Sequence, residues 1–213
     1  MTGPRAPSEN RDYPAGTGTT TKTVDPAKYG GIFDRTEVRL AGEGGQGMIL
    51  AGIILAEAAA IYDGKMVVQT QSYGPEARGG ASKSEVVIAG GEIDYPEILS
   101  ADVVVTLSQE AFEKYAASVK PGGLLIVDAE KVTRLPVAQA IRIPISRLAF
   151  ETTGKTITAN TVALGVLVGL TGVVSRQAIE KAVAARAPRG TEEMNRKALE
   201  AGFAEAEKIK WRE

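Results

Sequence analysis

Two glycine-rich segments hold the residues whose types and spacing could do chemistry. The first, Leu40-Ala41-Gly42-Glu43-Gly44-Gly45-Gln46-Gly47, contains G-x-G-x-x-G at Gly42, Gly44 and Gly47. Between a strand and a helix such a turn aims backbone amides at an anion, and the helix dipole favours negative charge there. The second segment runs from Gln71 to Ser82 as QSYGPEARGGAS. Gly74-Pro75 and Gly79-Gly80 set two sharp turns, and between them Glu76 and Arg78 stand on a constrained arch. Arg78 is that segment's only cation, and its guanidinium fork suits a carboxylate or a phosphate. The plainer reading of the same residues is an Arg78–Glu76 surface pair of little energetic value.

Composition narrows the chemistry further. The 213 residues include no cysteine and no histidine. That excludes cysteine nucleophiles, Cys-ligated iron–sulfur clusters, disulfides, His general bases and the usual zinc ligands from this chain. Any redox centre therefore sits on another chain or in a bound organic cofactor. Lys and Arg number 25 against 26 Asp and Glu, so the basic excess that nucleic-acid binding needs is missing. Zero cysteine is compatible with a reducing cytoplasm, which is the expected location. Met1 to Asp12 lacks the apolar stretch of a secretory signal. The longest apolar runs, Met48–Ala60 (broken by Glu57) and Val162–Leu170, fall short of the roughly 20 residues of a membrane span. They read as buried core helices.

A dinucleotide site at the first loop needs an acid at the end of the second strand to hold the ribose. That strand ends Gln69-Thr70-Gln71, and the nearest acid, Asp63, precedes it. Glu43 also puts a negative charge inside the loop. The alternatives left open are a tight strand–helix turn built for packing, and a loop that meets another ligand or chain.

These loops need elements to position them. Residues 1–33 are rich in Pro, Gly, Thr and charge with no apolar period, so they cannot offset their own ordering entropy. They are expected to form an extended arm, disordered or bound to a partner, with Tyr13, Tyr29, Ile32 and Phe33 as anchors. Residues 34–213 form one domain. Strands are expected at Glu37–Ala41, Lys65–Gln71, Ser82–Ala89, Ala101–Leu107, Leu124–Asp128 and Ala140–Ile145. Helices are expected at Gln46–Tyr62, from an N-cap at Ser108 to Val119, and over Ala159–Leu170, Arg176–Arg186 and Glu192–Lys208. Pro121-Gly122-Gly123 reads as the stop after Val119. Gly165 and Gly169 read as a close helix contact on the sheet, and Asn160 as a helix cap or a polar contact to a partner or to coenzyme A. Lys181, Arg186, Arg189, Arg196 and Lys197, mixed with acids, read as a solvated face. Buried strands alternating with helices mean an α/β fold whose mainly parallel sheet is covered on both faces, with a helical C-terminal third.

Together, GEGGQG and SYGPEARGG resemble the γ component of the 2-oxoacid:ferredoxin oxidoreductases, a family acting on pyruvate, 2-oxoglutarate, branched-chain and aryl 2-oxoacids. The resemblance covers roughly Thr36 to Gly202. It extends to Ala101-Asp102, Gly122-Gly123, Asn160 with Leu164-Gly165, and Asn195 with Gly202. It implies a three-layer α/β/α, Rossmann-like domain that packs on the α component near the coenzyme A path. It also implies that Gly42, Gly44, Gly45, Gln46 and Gly47 face that path or a subunit interface. The same holds for Ser72, Tyr73, Gly74, Arg78, Gly79 and Gly80, and for Asn160. This chain then supplies no catalytic group, no metal ligand and no cofactor site of its own.

In such a complex, thiamine diphosphate and Mg2+ belong to the α and β components, and 4Fe-4S clusters to β or a ferredoxin-like δ component. FAD enters only with a flavoprotein subunit linked to NAD(P). The complex converts a 2-oxoacid, coenzyme A and an oxidised acceptor to acyl-CoA, CO2 and a reduced acceptor. The identity of the 2-oxoacid and of the acceptor resides in the partner chains. A free-standing dinucleotide-binding protein and a purely structural assembly subunit are the competing readings.

Overall fold

The structure is a computed structural model and describes residues 35–72, 80–135 and 140–209. The arm expected over residues 1–33 lies outside the described residues. Six strands form one sheet: β1 (Arg35–Glu43), β2 (Met66–Ser72), β3 (Ala81–Ala89), β4 (Ala101–Thr106), β5 (Val119–Asp128) and β6 (Ala140–Ile143), in the order β2-β3-β1-β4-β5-β6. β1, β4, β5 and β6 run parallel, while β3 lies antiparallel between β1 and β2. The sheet is mostly parallel, as expected.

The helices are α1 (Met48–Glu57, prolonged by a π turn over Ala58–Tyr62), α2 (Gln109–Tyr115), α3 (Ile145–Thr153), α4 (Ala159–Thr171), α5 (Arg176–Arg186) and α6 (Glu192–Lys208). They cover the two faces unequally. α1 packs on β1, β2 and β3, and α3, α5 and α6 enclose α4 behind it. The main core joins Val38, Leu40 and Val86 of the sheet to Leu55, Leu164 and Leu199 of these helices. On the opposite face α2 is the only helix among the described residues. Phe112 there shares a smaller core with Val87, Val104 and Leu125.

Two expected boundaries shift. The strand expected to run through Ile145 stops at Ile143, and α3 begins at Ile145 after Pro144. The run Ile141-Arg142-Ile143-Pro144-Ile145 alternates like a strand, which conceals the helix. α3 lacks a local side-chain cap. Asp128, 18 residues upstream at the end of β5, accepts instead from the Ser146 N–H at 2.9 Å and from the Ser146 hydroxyl. Pro121-Gly122-Gly123 does not end a helix. It forms a bulge inside β5, where the register jumps from Ala101↔Val119 to Val103↔Leu124. Gly122 takes φ 76° there, a backbone state that glycine adopts without strain.

That bulge is tied down at the N-terminal edge of the sheet. Asp102 accepts from the Glu37 N–H at 2.8 Å, and Lys120 reaches Asp102 at 3.0 Å and Glu37 at 3.1 Å. Burial works against the Lys120 charge. The hydrogen bonds and attraction from Asp102 and Glu37 outweigh it and hold its pKa above the ordinary lysine value.

A close backbone-to-backbone contact joins α4 and α6. Gly165 and Gly169 do not face the sheet, as expected from the sequence, but α6. A Cβ on Gly202 would lie 2.2 Å from the Val162 carbonyl oxygen and 2.8 Å from the Gly165 Cα. A Cβ on Gly165 would lie 2.2 Å from the Leu199 carbonyl oxygen. Every residue of α4 except Gly169 is buried.

Two outcomes are expected. Alanine gains up to about 1 kcal/mol over glycine in a helix. Gly202→Ala nevertheless lowers the unfolding free energy by about 1–3 kcal/mol, because the new methyl meets backbone that cannot turn aside. Chemical denaturation measures this, and an unchanged or higher midpoint contradicts so close an approach. For the Lys120 tie, a raised folded pKa gives stability that is fully present below the unfolded lysine value and is lost as pH rises through the folded one. Thermal melts from pH 9 upward therefore show a loss above pH about 10.5, and that loss is smaller in Lys120→Gln. Equal alkaline slopes in both proteins contradict the tie.

Candidate functional site

The first glycine loop opens at the C-terminal end of β1, beside the end of β4. Open α/β sheets take ligands outside the carboxyl ends of their strands, where the connections diverge to opposite faces. Here β1 leads into α1 on one face and β4 leads into α2 on the other. Gly42 is still in β1, Glu43 ends it, and Glu43, Gly44 and Gly45 are exposed. Gly45 and Gly47 take φ 94° and 74°, so side chains at these two positions would be strained.

Gln46 is not the start of the helix, as expected, but the brace of the loop. Its Oε1 accepts from the Glu43 N–H at 2.7 Å, and its Nε2 donates to the Leu107 carbonyl at 3.0 Å. The Leu107 N–H in turn donates to the Ala41 carbonyl. The side chain thus ties the loop to the strand end next door. Asn160, at the start of α4 and buried, donates through Nδ2 to the Gly47 carbonyl at 3.2 Å. α1 itself starts with no side-chain cap and no acid in its first turn, which leaves its N-terminal amides to whatever meets the loop.

The second glycine segment springs from the same end of the sheet. β2 and β3 pair down to Ser72↔Lys83, and β1 and β3 pair up to Glu43↔Ala81. Ser82 donates to the Gly42 carbonyl at 3.2 Å, and Glu110 of α2 accepts from the Ala81 N–H at 3.0 Å. Exposed Ser72 and half-buried Gly80 are its two described bases. Tyr73, Gly74, Arg78 and Gly79 lie outside the described residues. The structure thus brings the roots of both loops together and joins Asn160 to Gly47, while Gln46 holds Glu43 and Leu107.

Behind these roots lies a charged cluster not singled out from the sequence. Arg39 and Glu85, both buried, pair across β1 and β3 at 2.7 Å. Arg39 also donates to the Ile98 carbonyl at 2.8 Å and to the Ser118 hydroxyl. Lys83 joins Glu85 at 2.9 Å, and the Tyr115 ring has Arg39, Lys83 and Lys114 within 5.4 to 5.9 Å. The alternation Glu37-Val38-Arg39-Leu40 was the available signal. It puts two charges on one face of a central strand.

A dinucleotide is poorly served by this arrangement. The antiparallel β3 stands between β1 and β2, and β2 ends in Gln71 and Ser72 without an acid. Asp63 accepts from the N–H and hydroxyl of Ser175. Among the described residues no three His, Cys, Asp or Glu side chains are grouped to hold a metal ion. No helix among them is long and apolar enough to cross a membrane. The basic residues near the C-terminus are the mixed face expected: Arg186 pairs with Glu57, and Arg196 with Glu193 and Glu200.

Known proteins resemble this chain over most of its length. The profile of pyruvate ferredoxin/flavodoxin oxidoreductase matches residues 37–205. The 2-oxoglutarate synthase subunit KorC of Methanocaldococcus jannaschii is 49% identical over 179 residues, 82% of this chain and 96% of that protein. Among solved structures, the γ subunit of a keto/oxoacid ferredoxin oxidoreductase from Geobacter sulfurreducens is 52% identical. It superposes with a TM-score of 0.75 over 82% of this chain and 97% of its own. The 2-oxoglutarate:ferredoxin oxidoreductase of Magnetococcus marinus, solved with 2-oxoglutarate, coenzyme A and succinyl-CoA bound, is 25% identical with a TM-score of 0.76. The match covers 85% of this chain and 32% of that one. The chain belongs to the pyruvate ferredoxin/flavodoxin oxidoreductase family, as a γ subunit of a 2-oxoacid:ferredoxin oxidoreductase.

Proposed function

We propose that this chain works in a complex that oxidatively decarboxylates a 2-oxoacid with coenzyme A to acyl-CoA and CO2. In that complex it packs on the α component and lends its two glycine loops to the coenzyme A path. The observation that carries this reading is the common origin of the loops. Both leave the C-terminal edge of the sheet, from β1 and from β2 on either side of β3, and their roots are braced from within the domain by Gln46, Ser82 and Glu110. The first loop, so held while Glu43, Gly44 and Gly45 are exposed, is suited to meet a partner with little ordering cost.

The chemistry itself belongs elsewhere. A chain with no cysteine and no histidine has neither cluster ligands nor an imidazole base. Thiamine diphosphate with Mg2+ is assigned to the α and β components, and 4Fe-4S clusters to β or a ferredoxin-like δ component. A flavoprotein with FAD is added where NAD(P) is the acceptor. The setting is the cytoplasm. The Magnetococcus relative supports this reading, since a domain of this fold makes up part of a chain solved with coenzyme A and succinyl-CoA bound. The names of the 49–50% identical relatives make 2-oxoglutarate the first 2-oxoacid to assay.

Two outcomes are expected. The purified chain alone carries no stoichiometric iron or thiamine diphosphate and turns over no 2-oxoacid. The co-purified complex reduces ferredoxin in a reaction that needs both 2-oxoglutarate and coenzyme A. Iron or thiamine bound tightly by the lone chain contradicts the division of labour, and turnover that ignores coenzyme A contradicts the reaction.

A further outcome concerns Arg78, for which the partner is an anion, either a coenzyme A phosphate or a carboxylate of α. Losing one charge-assisted hydrogen bond costs about 1.5–3 kcal/mol, on the order of 10- to 150-fold in an equilibrium constant. Arg78→Ala raises the Michaelis constant for coenzyme A by about that factor with the complex intact, or weakens γ–α association by about that factor. Wild-type values for both return Arg78 to a surface pair.

A further inference from the structure

We propose that Thr161 and Asn195 are positioning residues for the first glycine loop, acting on it through Asn160. The consequence for coenzyme A rests on the reading of that loop given above. The relay itself does not.

The relay starts at Gly47, whose carbonyl accepts both the first helical bond of α1, from the Ala51 N–H at 2.9 Å, and the Asn160 Nδ2. The Asn160 amide packs directly on the glycine: a Cβ at Gly47 would lie 2.7 Å from Nδ2. The direction of that amide is set on its other side. Its Oδ1 accepts from the Thr161 N–H at 2.9 Å, which turns Nδ2 toward the loop. The Thr161 hydroxyl lies 3.1 Å from Asn195 Oδ1 and 3.4 Å from Asn160 Oδ1, so its one proton is shared between two acceptors.

Asn195 cannot turn its amide over without loss. Its Nδ2 donates to the Thr191 carbonyl at 3.0 Å and to the Thr191 hydroxyl at 3.2 Å at the start of α6. Asn160 is 5% exposed and Thr161 1%, so the bonds between these two compete with little water, while Asn195 and Thr191 are half-buried. The chain Thr191–Asn195–Thr161–Asn160–Gly47 thus carries the position of α6 to the backbone of the loop. It spans the helix pair only because the Gly165–Gly202 contact brings α4 and α6 together.

Hydrogen exchange on the full chain tests this. Thr161→Val keeps the shape and removes the hydroxyl, while Thr161→Ser keeps the hydroxyl. With Thr161→Val, the Gln46 and Ala51 amides, bonded to the Glu43 and Gly47 carbonyls, exchange about ten-fold faster while the strands keep their wild-type rates. Thr161→Ser restores them. If Thr161→Val fails to fold, Asn195→Ser reads the same relay and gives the same local rise. No local rise, or a rise spread evenly over the sheet and α6, overturns the proposal, since both are what plain core satisfaction gives. In the assembled complex, Thr161→Val then raises the Michaelis constant for coenzyme A several-fold with kcat unchanged. A local rise in exchange without that change upholds the relay and removes coenzyme A from the role of the loop.

Discussion

The helical half of this protein depends on how near two backbones come at Gly165 and Gly202. No side chain mediates the contact. The Leu199 carbonyl lies over the Gly165 Cα and the Val162 carbonyl over the Gly202 Cα, where even a methyl group has no room. Such approach lets α4 be wrapped by α1, α3, α5 and α6. It also explains how Asn160 and Thr161 survive in the interior. Buried polar groups persist when they find partners, and these partners come from the neighbouring helix and from the glycine loop. A wider helix spacing would leave the same side chains unsatisfied.

The opposite face of the sheet follows a different logic. With one short helix over β1, β3 and β4, apolar cover is limited, and the strands carry Glu37, Arg39 and Glu85 where residues such as Val or Ile would otherwise sit. A buried ion pair seldom adds much stability over an apolar pair, because both charges lose their water. It does demand geometry. Arg39 satisfies Glu85, Ser118 and the Ile98 carbonyl together, fixing how β3, the segment after α2 and the chain entering β4 meet under the loop roots.

Much of this was legible in the sequence, and the failures have physical causes. The strands and most helices followed from apolar period and turn residues, and the Ser108 cap accepts from Ala111 as expected. The family motifs were legible as motifs, but their purpose was not. Asn160, Gly165, Asn195 and Gly202 are spread over two helices, and only the fold shows that they meet. α3 was missed because its cap is Asp128, far upstream. Gln46 reads from the sequence as the first residue of the helix. Its bond to Leu107, 61 residues away, is a tertiary fact that no local pattern records.

The span of those bonds has a consequence for the order in which the molecule takes shape. β1 and β2 run parallel but touch only through β3, so the chain up to Ser72 has no sheet to join. Even the completed three-strand unit, in which Ser82 holds the Gly42 carbonyl, lacks the loop's ties to the rest of the domain. The brace from Gln46 waits for Leu107, and the latch from Asn160 waits for a residue 113 positions beyond Gly47. Contacts of such long range form late, after the loops between them have closed. A growing or partly unfolded chain therefore carries the loop without its final form. The finished loop reports that α4 has docked, so any partner that met it would meet only chains whose C-terminal helices are in place.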